Sequence, residues 1–310
     1  MATKPMFTGF AAAAVLLACV SCGTHAKQSA AVGNKTIGVS LLDLQAQFYQ
    51  AMEASMKSEA AKFGYSISIV DANRDQARQT SQVDDFISRH VDAIVLAPAD
   101  SKAVGSAIVE ANNAGVPVFT ADIASTAVKG TVVSHIASDN LQGGKVAADL
   151  LGKALPTGGS IAIIDQPEVT SVQDRVRGFK AELAAKYPAL KIVADQTAGG
   201  ERARASSVAD NLLQQYPQLA GIFGINDDSA LGALSAVQSA GKTGKIKIVG
   251  YDANPEARKA IDAGNMVGDP QQFPDLIGKL TIDAIHDYFN AKKPAKRIPV
   301  TVGSYTARPR

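Results

Sequence analysis

Apolar positions along this chain change period repeatedly. Short apolar runs bounded by turn residues read as buried strands, and longer stretches with apolar residues three and four apart read as helices. Thr36–Leu42 (TIGVSLL) is predicted as a strand, and Gln45–Gly64 as a helix that turns Phe48, Met52, Met56, Ala60 and Phe63 to one side. Ser66–Val70, Asp92–Ala97, Val116–Thr120 and Thr131–Ile136 follow as strands, with helices over Gln76–Arg89 and Ser101–Ala114 between them. The alternation then restarts. Leu141–Leu155, Val172–Tyr187 and Arg204–Tyr216 read as helices, separated by strands at Ser160–Ile164 and Leu190–Ala194. Gly221–Ile225 and Lys245–Gly250 are strands, and Met266–Gly268 is extended. Pro255 opens a short helix to Ala263, Pro274–Phe289 is a long helix, and Ile298–Tyr305 is read as one closing strand.

Alternation this regular implies parallel sheets with right-handed crossovers. The two runs of strand–helix units split near Ser138, which predicts two doubly wound domains. The last long helix comes after the second run has enough strands, so it is expected to return to the first domain. A length of 310 residues suits two domains of roughly 130 residues each.

Polar residues recur just past the strand ends. In open α/β sheets ligands sit outside the carboxyl ends of the strands. Asn226, Asp227 and Asp228 follow GIFGI, Asp122 follows VPVFT, and Asp252 follows KIVG. Arg175 lies early in the helix after SIAII, Gln272 precedes the last helix, and Phe48 and Tyr49 follow the first strand. Each of the three residues 226–228 also suits a helix cap. Two carboxylates, amides, an arginine and aromatic rings together suit a polyhydroxylated ligand. Hydroxyls donate to carboxylates, accept from Arg and do both with amides, while a ring face packs on aromatic side chains.

Composition narrows the alternatives. The net charge of +2 gives no reason to expect nucleic acid as a partner. No phosphate loop, dinucleotide glycine fingerprint or G-x-S-x-G turn is present, so an enzyme is not expected, nor a cofactor. His25, His90, His135 and His286 are scattered without ligand spacing, so no metal site is expected. His90 and His286 are read as surface helix residues.

Both cysteines precede the globular part. Phe7–Ala18 is apolar, preceded by Lys4, and too short to span a bilayer, as in a signal peptide. LLAC resembles a lipoprotein box, which predicts lipidation at Cys19, with Cys22 as the alternative. Residues 1–22 are thus expected to be a leader and residues 23–35 a tether. The expected location is the periplasm or the extracytoplasmic membrane face, with membrane contact only through the lipid.

At VVSHIASDNLQGGK, DRVRGF, NDDSALGAL, VGYDANPE and QFPDLIG the chain resembles the periplasmic sugar-binding proteins of ABC importers, the type I periplasmic binding proteins. The resemblance covers Thr36 to Tyr305. It implies two doubly wound Rossmann-like domains joined by a hinge of three crossovers near Ser138, Gln272 and Thr301. One lobe would hold residues 36–138 and 273–301, and the other residues 139–272 and 302–310. It also implies a monomer that captures a monosaccharide or polyol through Phe48, Tyr49, Asp122, Arg175, Asn226, Asp252 and Gln272 and delivers it to an importer permease. The alternative is a sugar-sensing module that presents its ligand to a chemoreceptor or sensor kinase.

Several positions depart from the ribose-binding members. Ala46 and Ala97 stand for asparagines, Ile123 for an arginine, and Gly200 for a stacking phenylalanine. These changes make ribose a poor fit and leave the wall at Gly200 open. Gln47, Gln173 and Asp43 are the expected replacements.

Overall fold

The computed structural model describes residues 35 to 307. In chain order the first run is β1 (Thr36–Leu41), α1 (Gln47–Lys62), β2 (Ser66–Asp71), α2 (Gln76–Ser88), β3 (Ala93–Leu96), α3 (Gly105–Asn113), β4 (Val118–Ala121) and β5 (Val132–Ser138). The second is α4 (Asn140–Ala154), β6 (Gly159–Asp165), α5 (Thr170–Lys186), β7 (Leu190–Thr197), α6 (Arg202–Gln215), β8 (Leu219–Gly224), α7 (Asp227–Ser239), β9 (Lys247–Val249), α8 (Pro255–Asp262) and β10 (Gly268–Gln271). Then come α9 (Pro274–Phe289), β11 (Arg297–Val300) and β12 (Gly303–Thr306).

These strands form two six-stranded sheets, ordered β11-β5-β4-β3-β1-β2 and β12-β10-β9-β8-β6-β7. All neighbours run parallel except β12, which is antiparallel to β10. Strand periodicity sends alternate residues to opposite faces. Ala93 and Val95 of β3 join a core with Met52 and Met56 of α1 and Ile277 and Ile285 of α9. Ile94 and Leu96 meet Val83 and Phe86 of α2 and Ile108 of α3 on the other face. Helices therefore cover both faces of the sheet, as a parallel sheet requires. The second sheet repeats the pattern, with Ile161 and Ile163 on one side and Ala162 and Ile164 on the other. Helix α9 packs on α1, β4 and β5, so it does return to the first lobe.

Two expectations change. Ile298–Tyr305 is two strands, because the chain leaves β11, beside β5, and enters the other sheet as β12 beside β10. The helix expected from Ser101 starts at Gly105, since Asp100 Oδ1 accepts from the amides of Lys102 and Ala103 and holds a turn there. The chain passes between the sheets after β5, β10 and β11, and the carboxyl ends of the central strands meet around one cavity.

Candidate functional site

The second lobe builds its side of the cavity through a close helix pair. A side chain at Gly144 of α4 would collide with the carbonyl of Arg175, and one at Gly178 of α5 with the carbonyl of Leu141. This approach sets the buried Arg175 against the start of α4. Its Nε donates to Asn140 Oδ1 at 2.9 Å, and its Nη1 donates to the Ile225 carbonyl at 2.8 Å. The guanidinium lies over the Tyr251 ring, 3.9 Å from the centroid, and Nη1 is 3.9 Å from Asp252 Oδ1. Burial opposes the Arg175 charge, yet Tyr251, Asp252 and Asp122 hold its pKa above the ordinary value.

Both carboxylates sit on unusual backbone. Asp122 has φ 63° and Asp252 φ 114°, a region that side-chain-bearing residues rarely adopt and that clusters at binding sites. Tyr49 donates to Asp122 Oδ2 at 2.7 Å, and Gln272 Nε2 donates to Asp252 Oδ1 at 2.7 Å. Burial pushes the Asp122 carboxyl up, with Arg175 partly offsetting it. Burial likewise raises Asp252 to about 7 against the pull of Arg175 and Gln272. Asp122 Oδ1 and Gln272 Oε1 are buried and have no hydrogen-bond partner among the described residues. Phe48 and Tyr49 meet edge to face at 5.1 Å.

Phe48, Tyr49, Asp122, Arg175, Asn226, Asp252 and Gln272 thus line the same cavity. Asn226 also caps α7, its Oδ1 accepting from Ser229 N at 2.9 Å while Nδ2 donates to the Gly200 carbonyl. Asp227 and Asp228 do not share the capping. Asp227 accepts from Asn254 N, and Asp228 pairs with Arg202. Cys19 and Cys22 lie outside the described residues.

The replacement residues differ from expectation. Gln47 and Gln173 are exposed and off the cavity, and Gln173 donates to the Pro167 carbonyl instead. The amide present is Gln166, just past β6. Ala46 and Ile123 line the cavity, whereas Ala97 is behind its wall, its carbonyl accepting from Gln79. The wall at Gly200 is not open: Arg74, Gln166 and Asn226 fill that space. Arg74 and Gln166 both follow strand ends, so the rule that singled out Asp122 and Asn226 reaches them too. His286 is not a simple surface residue. It stacks on Phe63 at 3.8 Å and bonds Tyr65 through Nδ1 at 2.7 Å, away from the cavity.

Away from the crossovers, hydrogen bonds bridge the lobes at the cavity rim. Ser101 N donates to the Glu168 carbonyl at 3.1 Å, Thr170 N to Ser101 Oγ at 2.9 Å, and Ala124 N to Thr170 Oγ1 at 3.0 Å. The lobes are closed over the site. Such a closed, polar-lined cavity with unpaired acceptors has the chemistry to hold a small polar molecule.

Comparison with known proteins agrees with this geometry. Residues 37–293 match the periplasmic binding protein domain family. The ribose import binding protein of Bacillus subtilis is 37% identical over 270 residues, covering 86% of each chain. The fructose import binding protein of Bifidobacterium longum is 30% identical and covers 96% of this chain and 92% of its own. The crystal structure of a Caulobacter myo-inositol binding protein bound to myo-inositol superposes with a TM-score of 0.83 at 34% identity, covering 88% of this chain and 93% of that one. The chain belongs to the periplasmic binding protein family, whose members are substrate-binding transport proteins.

Proposed function

We propose that this protein is an exported solute-binding protein that closes its two lobes around a monosaccharide or polyol and delivers it to an ABC importer. The observation that carries this reading is the pair of buried, unpartnered acceptors, Asp122 Oδ1 and Gln272 Oε1, on residues that line one cavity with Arg175. A buried acceptor without a donor is costly. A ligand hydroxyl satisfies it, and the same ligand oxygen accepts from Arg175 or an amide. Phe48 and Tyr49 offer the rings on which a sugar or cyclitol face packs. The groups present bind and orient, and members of the family are substrate-binding transport proteins, so the role in this reading is capture.

The relatives are named for ribose and fructose import and for myo-inositol binding. Here Ile123 and Ala46 line the cavity with apolar surface. A ribose hydroxyl placed against Ile123 gains no partner, so ribose is the weaker ligand in this reading. We further propose that residues 1–22 direct export, that Cys19 carries the lipid anchor, and that the lobes function as a monomer at the extracytoplasmic membrane face.

A thermal-shift screen against myo-inositol, D-ribose, D-allose and D-fructose tests the binding role. A ligand at one hundred times its Kd stabilises the native state by about 2.7 kcal/mol. A raised midpoint with at least one compound is expected, and no shift with any of them at millimolar concentration would overturn the reading. Intact mass of membrane-extracted protein checks the anchor: an unprocessed Met1 terminus would rule it out.

A further inference from the structure

The β2–α2 connection is held against the end of β1. Asp71 Oδ1 accepts from Asn73 N at 2.8 Å and from Leu44 N at 3.2 Å, and Arg74 N donates to the Leu42 carbonyl at 2.8 Å. Within it Asn73 and Arg74 have consecutive left-handed φ values of 51° and 59°, which side-chain-bearing residues rarely adopt. This backbone brings the Arg74 side chain, 17% exposed, to the cavity wall. Asp43 anchors it, with Oδ2 accepting from Nε at 2.9 Å and pairing with Nη2 at 2.8 Å. From that anchor Nη1 crosses to the other lobe and donates to the Gly199 carbonyl at 2.6 Å.

The facing segment is shaped to receive it. Gly199 and Gly200 have φ of 62° and 71°. A Cβ on Gly200 would stand 2.5 Å from Gln166 Oε1, 2.9 Å from Arg74 Nη1 and 3.2 Å from Asn226 Nδ2. No side chain at position 200 coexists with Arg74 in this position. This part of the wall is therefore one guanidinium and two amides, while Leu42, Val169 and Val172 are apolar wall elsewhere.

We propose that Arg74, anchored by Asp43, is both a latch between the closed lobes and a specificity-determining residue of the ligand site. A guanidinium has five N–H donors and no acceptor. Asp43 and Gly199 engage three of them, which leaves two for a ligand. That end of the site therefore demands an acceptor oxygen. It selects rings that bear hydroxyls around their edge, as cyclitols and hexoses do, over deoxygenated or smaller rings. The proposal rests on the sugar-or-polyol reading for its selectivity, but the latch stands without it.

Two measurements on the full chain separate these parts. The first is calorimetric titration of wild type, Arg74→Met, Arg74→Lys, Asp43→Asn and Thr170→Ala with myo-inositol, D-allose and D-ribose. Arg74→Met is expected to lose tenfold or more on the tightest-binding probe and to narrow its preference over ribose. Arg74→Lys restores part of this, and Asp43→Asn shifts affinities in the same direction as Arg74→Met by a smaller factor. Thr170→Ala, which removes only rim bonds, weakens all probes alike. Arg74→Met affinities within twofold of wild type, or an equal loss on every probe, would overturn the selectivity.

The second measurement is single-molecule energy transfer across the cleft without ligand. A closed population is expected in wild type and its depletion in Arg74→Met. Absence of that population from wild type, or its persistence in the variant, would overturn the latch. If no probe binds wild type, the ligand reading and the selectivity resting on it fail together, and this second measurement decides the latch alone.

Discussion

Two sets of buried carboxyls lie near one another in this molecule and behave differently. Asp122 and Asp252 line the cavity, while Asp227 and Asp269 are buried in the second lobe behind it. Burial raises the pKa in every case. Behind the cavity Asp227 Oδ1 and Asp269 Oδ2 have no donor of their own among the described residues, but the two carboxyls adjoin, so one proton shared between them serves both. Each also accepts a backbone amide, from Asn254 at 2.7 Å and from Gly250 at 2.8 Å. At the cavity, Tyr49 donates to Asp122 Oδ2, and Oδ1 has no hydrogen-bond partner among the described residues. Burial and a raised pKa alone do not mark a binding site. An unpartnered acceptor on a cavity-lining residue, as at Asp122, is the further observation that supports one.

Removal of Arg175 should give the largest effect and blur the distinction. Its guanidinium joins Asn140, Ile225, Tyr251 and Asp252, so Arg175→Ala breaks the scaffold as well as the site. Removing one partner of a buried ionic network costs about 3–5 kcal/mol. Chemical denaturation should show that loss together with loss of sugar binding.

Asp269→Asn sharpens the contrast from the other side. The Asp269 pKa rises from 3.8 to about 6, chiefly through burial. Between those values the native state binds more protons than the unfolded chain, so wild-type stability falls as pH rises through the window and the loss is complete above about 6. An asparagine keeps the acceptor for Gly250 and removes the buried charge. The variant should be more stable than wild type at pH 7, by up to roughly 3 kcal/mol, with the gain vanishing near pH 4. Denaturation at both pH values checks the sign, and ligand affinity should stay unchanged.

Asp122→Asn should do the reverse, with little effect on stability and a loss of about 2 kcal/mol in ligand binding, roughly thirtyfold. The smallest effect expected is in wild type itself. Asp252 titrates near 7, and a ligand hydroxyl donating to it favours the ionised form. Affinity should therefore rise by roughly three- to tenfold from pH 6 to pH 8. Calorimetry at the two pH values measures it, and a fall over that range would mean that Asp252 binds ligand in its protonated form.

Much of this arrangement was legible from periodicity. The alternation of strands and helices and the polar residue past each strand end depend on local pattern, and they led to Asp122, Asn226 and Asp252. What escaped the sequence depends on pairs of distant residues. Arg74 follows a strand end as Asp122 and Asn226 do, but neither its left-handed backbone nor the Asp43 anchor is visible without the fold. Gly200 read as open space, although the group filling it comes from the other lobe. Asp227 read as a cap because its partner, Asp269, is 42 residues away. The split of the last strand between two sheets follows from two pairing edges that no local pattern encodes.

The most direct test is a crystal structure of the full chain with the sugar or polyol that stabilises it most. Ligand hydroxyl oxygens should lie at hydrogen-bond distance, about 2.7–2.8 Å, from both Asp122 Oδ1 and Gln272 Oε1, with Arg175 donating to the same molecule. A ligand bound outside this cavity, or one that leaves both acceptors unpaired, would contradict the account.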